Sequence, residues 1–195
     1  MPKILVTCFE PFGGETINAS EEVLKRLPDT IGAHSIEKLV VPCVFGEAQR
    51  LVIQKAEQTS PDMIISLGQA AGRSKVTPEY VAINFMNARI PDNRGNQPLR
   101  EPIASQGPDA YFSTLPVFDM AGAIRSKELP SEVSFTAGTF VCNELYYSLL
   151  HHFNGTDTKV CFIHVPLTRD QANTDQPFMA IEDMTDAVIC AIESL

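Results

Sequence analysis

Short apolar runs alternate with stretches of helical periodicity along nearly the whole chain, and this alternation restricts the fold more than any single residue does. Lys3–Cys8 reads as a first strand, and Met63–Leu67 and Lys159–Val165 read as buried strands, with Gly68 stopping the former. Asn18 or Ser20 caps a helix that runs to Leu27, where Pro28 and Asp29 end it. His34–Val41 is strand-like with His34 near the surface, and Glu47–Gln58 carries Leu51, Val52 and Ala56 on one helical face. Tyr80–Met86 is a further strand. After it, Ala88–Pro108 is rich in Pro, Gly, Asn and charge and reads as a long loop, of the kind that serves a site or an interface. Phe118–Lys127 and Cys142–Phe153 read as helices and Glu132–Phe135 as extended chain, while Ile181, Met184, Val188 and Ile192 fall at the spacing of an amphipathic helix. The order of elements predicts an α/β chain in which a mixed, largely parallel sheet lies between helices.

At 195 residues and 44% apolar content the chain can bury a full core, and a single domain over residues 1–195 is the expectation. No apolar run has the length of a signal or a membrane span, so a cytoplasmic protein with no membrane partner is expected. Five cysteines then read as reduced thiols, and the sequons Asn18-Ala19-Ser20 and Asn154-Gly155-Thr156 as chance matches. A net charge of −9 and a pI near 4.9 disfavour a grip on phosphate backbones, so nucleic acid is not an expected partner.

The chemistry centres on Cys142. Gly138-Thr139 before it and Asn143 after it suggest a turn that presents the side chain at a helix start, where free N–H groups and the macrodipole favour a thiolate. Such a cysteine is expected to be more acidic than a free one. On local context it is a nucleophile or a buried thiol, whereas Cys8, Cys43, Cys161 and Cys190 lie in or beside strand and helix core patterns. Of four histidines, His164 sits at the carboxyl end of a buried strand, where α/β proteins gather their sites, and is the preferred base. His151 and His152 fall late in a helix, where an imidazolium is favoured without further role. A carboxylate to orient the imidazole cannot be selected locally from 24 Asp and Glu; Glu79, between Pro78 and a strand, is one candidate, and a solvated loop glutamate is the other reading. The glycine-bearing turns Phe9–Gly14 and Gly68–Arg73 lack dinucleotide or P-loop spacing, and the phenylalanines of the first, Phe9 and Phe12, suit a flat uncharged group.

Seven motifs in order, VTCFEPFGG (Val6–Gly14), GQAAGR (Gly68–Arg73), TPEYVAIN (Thr77–Asn84), ARIPDNRGNQP (Ala88–Pro98), YFSTLP (Tyr111–Pro116), AGTFVCN (Ala137–Asn143) and FIHVP (Phe162–Pro166), resemble pyroglutamyl peptidase I over nearly the whole chain. The resemblance implies a cytosolic cysteine peptidase with an α/β/α sandwich of the phosphorylase/hydrolase-like kind, no metal and no organic cofactor. It implies a homotetramer or homodimer that acts on peptides with an N-terminal pyroglutamate through a thioester. By the family pattern the nucleophile falls on Cys142, the histidine on His164 and the glutamate on Glu79. Arg89 and Gln69 match oxyanion or supporting positions, and Phe9, Phe12, Cys43, Ile90, Phe140 and Val141 match the substrate pocket. The chain departs from the pattern at Cys8, Ala71, Tyr80, Cys43 and Ala19-Ser20-Glu21; Tyr80 bears on how Glu79 is held and Cys43 on ring affinity. Two alternatives belong to other classes: a phosphorylase-like transferase binding phosphate at Gly68–Arg73, and an inactive module that binds pyroglutamyl peptides.

Overall fold

The computed structural model describes residues 1–195. In chain order the elements are β1 (Lys3–Phe9), α1 (Ala19–Arg26), β2 (Thr30–Ile31), β3 (His34–Val41), α2 (Glu47–Thr59), β4 (Met63–Gln69), β5 (Thr77–Glu79), β6 (Val81–Ile83), β7 (Met86–Asn87), β8 (Leu99–Glu101), β9 (Ala110–Phe112), α3 (Val117–Ser126), α4 (Val141–His152), β10 (Lys159–Val165) and α5 (Ile181–Glu193). The main sheet has six strands in the order β2-β3-β1-β4-β10-β5. Its four central strands are parallel, and the short flanking strands β2 and β5 run antiparallel to their neighbours.

Burial on both faces explains why β1, β4 and β10 are continuous apolar runs rather than alternating ones. Val23, Leu24, Met120, Ile124, Met184, Val188 and Ile192 from α1, α3 and α5 pack on one face with Ile4, Val6, Ile65 and Ile163. Val52, Ala56, Val141, Leu145 and Tyr146 from α2 and α4 pack on the other with Leu5, Ile64 and Phe162. Asn18 caps α1 by accepting from the Ser20 amide at 3.0 Å.

Several sequence expectations are corrected by the structure. Tyr80–Met86 is not one strand: β6 and β7 are separated at Asn84, whose side-chain oxygen accepts from the amides of Ile103 (2.8 Å) and Ala104 (2.9 Å) and whose nitrogen donates to the Ala104 carbonyl (2.8 Å). A carboxamide bound to another segment bends the chain there. Thr77–Glu79, which reads as an approach to that strand, is itself an edge strand of the main sheet. The segment 88–108 is not wholly loop, because β8 within it pairs with β7. Strands β2 and β9, two and three residues long, lack a periodic signal in the sequence. His34 is buried instead of lying at the surface.

Gly68 fixes the closeness of β4 and β10. It pairs in register with His164, and a Cβ built on it would stand 2.7 Å from Phe162 Cζ and 3.0 Å from His164 Cδ2. No side chain fits there without moving the Phe162 ring, and the imidazole beside it is already in tight contact. Gly68→Ala is therefore expected to lower Tm by about 5 °C through overpacking between the two strands, with the circular dichroism of the folded parent retained.

Candidate active site

The carboxyl ends of β1, β4 and β10, the edge strand β5 and the start of α4 converge on one site. Antiparallel pairing sets Phe162 opposite Glu79 and His164 opposite Thr77. Glu79 is fully buried. Its Oε1 lies 2.7 Å from His164 Nδ1 and accepts from Arg73 Nη1 at 2.6 Å, while Oε2 has no partner. Arg73 also donates to the Thr77 hydroxyl and, from Nη2, to the Thr136 carbonyl at 2.9 Å. The Tyr146 hydroxyl on α4 donates to the Glu79 carbonyl at 3.0 Å.

Cys142 is the second residue of α4, half-buried, after an approach that turns at Gly138 with φ +80°. Asn143 pins this helix start to β6: its oxygen accepts from the Ile83 amide (3.0 Å) and its nitrogen donates to the carbonyls of Ile83 (2.9 Å) and Phe85 (3.1 Å). The ring bond of His164 goes to Glu79, and the thiol makes no hydrogen bond with the imidazole. The charges of Glu79 and Arg73 both reach that thiol.

These surroundings fix the resting protons. Burial raises the Glu79 carboxyl, but the hydrogen bond and charge of His164 and the charge of Arg73 outweigh it and bring Glu79 below the ordinary carboxylate range. Burial lowers His164 against the upward pull of Glu79, so the ring is neutral at neutral pH. Burial, and then the Glu79 charge, push Cys142 up to about 12. The thiol is thus less acidic than a free cysteine, contrary to the expectation from its helix position, because desolvation and a nearby carboxylate outweigh the dipole.

An apolar pocket wall stands beside the helix start. Phe140 packs on Phe12 with centroids 6.0 Å apart and meets Phe45 edge-on at 5.2 Å. Ile90, exposed at the surface, faces Gly13, and buried Cys43 lies in the same cluster. Cys43, at 1% exposure, lies behind this wall, and two further expected wall residues belong to the core: Phe9 is also 1% exposed and packs on Phe162 at 6.4 Å, and Val141 is 0% exposed. Inward-facing positions of β1 and α4 leave them no open face. Arg89 is exposed and two residues from Asn87, whose amide donates to the Thr139 carbonyl at 3.0 Å. Gln69 lies next to Gly68, but its Oε1 accepts from the Ala19 amide and from Gln171 Nε2, both at 2.7 Å, leaving only Nε2 to face a substrate. Phe45, Arg73 and Asn143 are the site residues that sequence reasoning did not single out. The signal available for Arg73 was its place in the GQAAGR turn, and for Asn143 its place directly after the cysteine.

A thiol at a helix start and an imidazole held by a buried carboxylate, on a parallel sheet between helical layers, make up a cysteine hydrolase of the α/β/α class. The pyroglutamyl peptidase family profile matches residues 2–195. Pyrrolidone-carboxylate peptidase 1 of Caldanaerobacter subterraneus subsp. tengcongensis is 46% identical over 98% of this chain and 96% of its own length. The pyrrolidone-carboxylate peptidase of Lactobacillus helveticus is 45% identical over 98% of both. The crystal structure of Bacillus amyloliquefaciens pyroglutamyl peptidase I superposes with a TM-score of 0.96 at 41% identity, covering 100% of this chain and 96% of that one. Pyrrolidone carboxyl peptidase from Thermococcus litoralis gives 0.95 at 35% identity, covering 100% and 93%. This chain belongs to the pyroglutamyl peptidase family, and the fold expected from its sequence is the fold it has.

Two expectations follow from the protons. Because Cys142 is an un-ionised thiol, its alkylation by iodoacetamide in the absence of substrate is expected to rise about tenfold per pH unit from pH 6 to 8; a flat rate over that range, read by mass spectrometry, would indicate a pre-formed thiolate. Glu144, two residues further along α4, is 2% exposed, accepts only from the Gly46 amide at 3.3 Å, and is pushed up to about 8 by burial. The folded state therefore holds a proton that the unfolded chain, at 4.5, releases, and stability is lost as pH rises between these values. Glu144→Gln should raise Tm by roughly 5 °C at pH 8.5 and leave it unchanged at pH 4.

Proposed function

We propose that this chain removes the N-terminal pyroglutamyl residue of peptides with Cys142 as nucleophile, His164 as general base and then acid, and Glu79 as the group that orients the imidazole. The observation that carries the assignment is the 2.7 Å bond between His164 Nδ1 and the fully buried Glu79. It fixes Nδ1 as the protonated nitrogen and leaves Nε2 as a lone-pair acceptor for the thiol proton. With both groups neutral at rest, the sulfur loses its proton to Nε2 as it attacks the carbonyl that follows the lactam ring. The imidazolium, steadied by Glu79, then protonates the departing amine as the C–N bond breaks. Water attacks the thioester with Nε2 again taking a proton, and pyroglutamate and the free thiol are released.

The developing oxyanion has a donor in the Cys142 N–H, one of those that the first turn of a helix leaves without an intrahelical partner, and Arg89 is a second. The substrate ring is flat and uncharged, with one N–H and one carbonyl. Phe12, Phe45, Phe140 and Ile90 supply apolar contact, and buried groups that pair the lactam would be left unmet by proline, which gives discrimination. The other expected members, Phe9, Cys43 and Val141, act from beneath, as packing for this wall.

The transferase alternative loses its anchor, since the Arg73 guanidinium in that turn is committed to Glu79, Thr77 and Thr136. We further propose that residues 1–195 work as one domain, in the cytoplasm, as a homotetramer or homodimer. In support of assembly, Phe112, Phe118 and Phe135 are 58%, 54% and 62% exposed and cluster around Tyr80. No helix is long and apolar enough to cross a membrane.

Release of 4-nitroaniline from pyroglutamyl 4-nitroanilide tests the reading. Cys142→Ser and His164→Ala are expected to lose at least about a thousandfold in kcat/KM and Glu79→Gln about a hundredfold, each keeping the parental fold. Parental turnover in Glu79→Gln would remove the orienting role, and turnover in Cys142→Ser would remove the nucleophile.

A further inference from the structure

Arg73 has no part in the reaction sequence above, yet it bonds to the strand that carries Glu79 and to the stretch that leads into the helix of Cys142. Its side chain, 26% exposed, reaches inward from the turn after β4. Nη1 donates to Glu79 Oε1 at 2.6 Å and to Thr77 Oγ1, and Nη2 to the Thr136 carbonyl at 2.9 Å. Thr77 is the register partner of His164 and its hydroxyl lies 3.4 Å from the His164 carbonyl. Thr136 belongs to the stretch that runs into α4 and Cys142. One planar cation joins the carboxylate, the strand beside the imidazole and the approach to the sulfur, a span that the fixed fork of a guanidinium covers and a single ammonium does not.

The same contact has an electrostatic consequence. A buried carboxylate bonded to an imidazole favours the imidazolium; burial of the ring is the largest influence against it, and the charge of Arg73 acts in the same direction as burial. Arg73 lies on the very oxygen that His164 uses. The remaining groups around the pair contribute little charge: Lys75 and Glu132 are partnered with each other at 2.6 Å, Tyr146 donates its hydroxyl to the Glu79 carbonyl, and burial keeps Cys142 and Cys161 as thiols.

We propose that Arg73 is a positioning residue of the peptidase centre, whose fixed charge joins the burial of the ring in offsetting Glu79 and keeping His164 an unprotonated base, and whose second nitrogen ties the carboxylate to the segment leading into Cys142. The inference rests on the reading of His164 as the base and adds what sets the pH range of that base.

The test is kcat/KM against pH for pyroglutamyl 4-nitroanilide in the parent, Arg73→Gln, Arg73→Lys and Glu79→Gln. In Arg73→Gln the acid limb is expected to move up by about one pH unit with kcat falling more than KM rises. Arg73→Lys should return the limb to its parental position while recovering only part of kcat. Glu79→Gln should move the limb the opposite way, to lower pH. A limb in Arg73→Gln that coincides with the parent, with only Tm reduced, overturns the proposal and leaves Arg73 a structural residue. If Glu79→Gln also leaves the limb in place, it is the assignment of His164 as base that fails. Should Arg73→Gln not fold, NMR titration of the His164 ring in Arg73→Lys decides: a parental midpoint supports the charge role, and a displaced one overturns it.

Discussion

A carboxylate buried without partners would cost several kcal/mol and would take up a proton instead of remaining charged. Glu79 is at 0% exposure and stays ionised because two donors, His164 and Arg73, meet on one of its oxygens. Those donors arrive from β10 and from the turn after β4, so the ion depends on the order β4-β10-β5 and on the antiparallel register that sets Phe162 against Glu79. A shift of one residue in that register would turn the carboxylate to the other face of the strand, away from both of its donors. The sheet and the reacting groups are thus a single construction, with Gly68 permitting the strand that carries the ring to lie close.

The distribution of protons departs from what a cysteine at a helix start suggests. An N-terminal dipole is a modest effect that fades within a turn, whereas desolvation of a half-buried sulfur and a carboxylate charge nearby both oppose ionisation. The thiol is therefore pushed up to about 12 and the imidazole is held neutral. In the proposed reaction such a pair couples proton transfer to bond formation, so the substrate carbonyl has to be in place before the sulfur becomes reactive. In the proposed mechanism a lactam seated against Phe12 and Phe140 is the condition for attack, which adds selectivity to the binding step and shields the thiol from passing electrophiles.

Much of the architecture was legible in the sequence because the central strands are buried on both faces and read as unbroken apolar runs; β1, β4 and β10 fall within two residues of their expected ends. The same periodicity gave α3, α4 and α5. What escaped was short or decided at a distance: β2 and β9 have too few residues for a period, and Asn84 breaks a plausible strand only because it meets Ile103 and Ala104 in the folded chain. The candidate residues divide in the same way. Cys142, His164 and Glu79 belong to motifs in order, whereas Phe9 and Phe12, which look equivalent in FEPFGG, are separated by the end of β1 into core and wall. Arg73 was indistinguishable from any turn arginine until β5 stood beside it.

The outer edge of β5 is not open. Bridges from Val76 to Ser131 and from Glu79 to Ser134, with the Tyr80 amide donating to the Ser134 carbonyl at 2.8 Å, lay the stretch 130–134 along it. That stretch then continues through Thr136 and Gly138 into α4. The strand bearing the carboxylate and the helix bearing the sulfur are consequently two ends of one short tether, stitched at its start. With that tether on one side and the bonds of Asn143 to β6 on the other, the helix start that carries the sulfur is anchored to strands from both flanks.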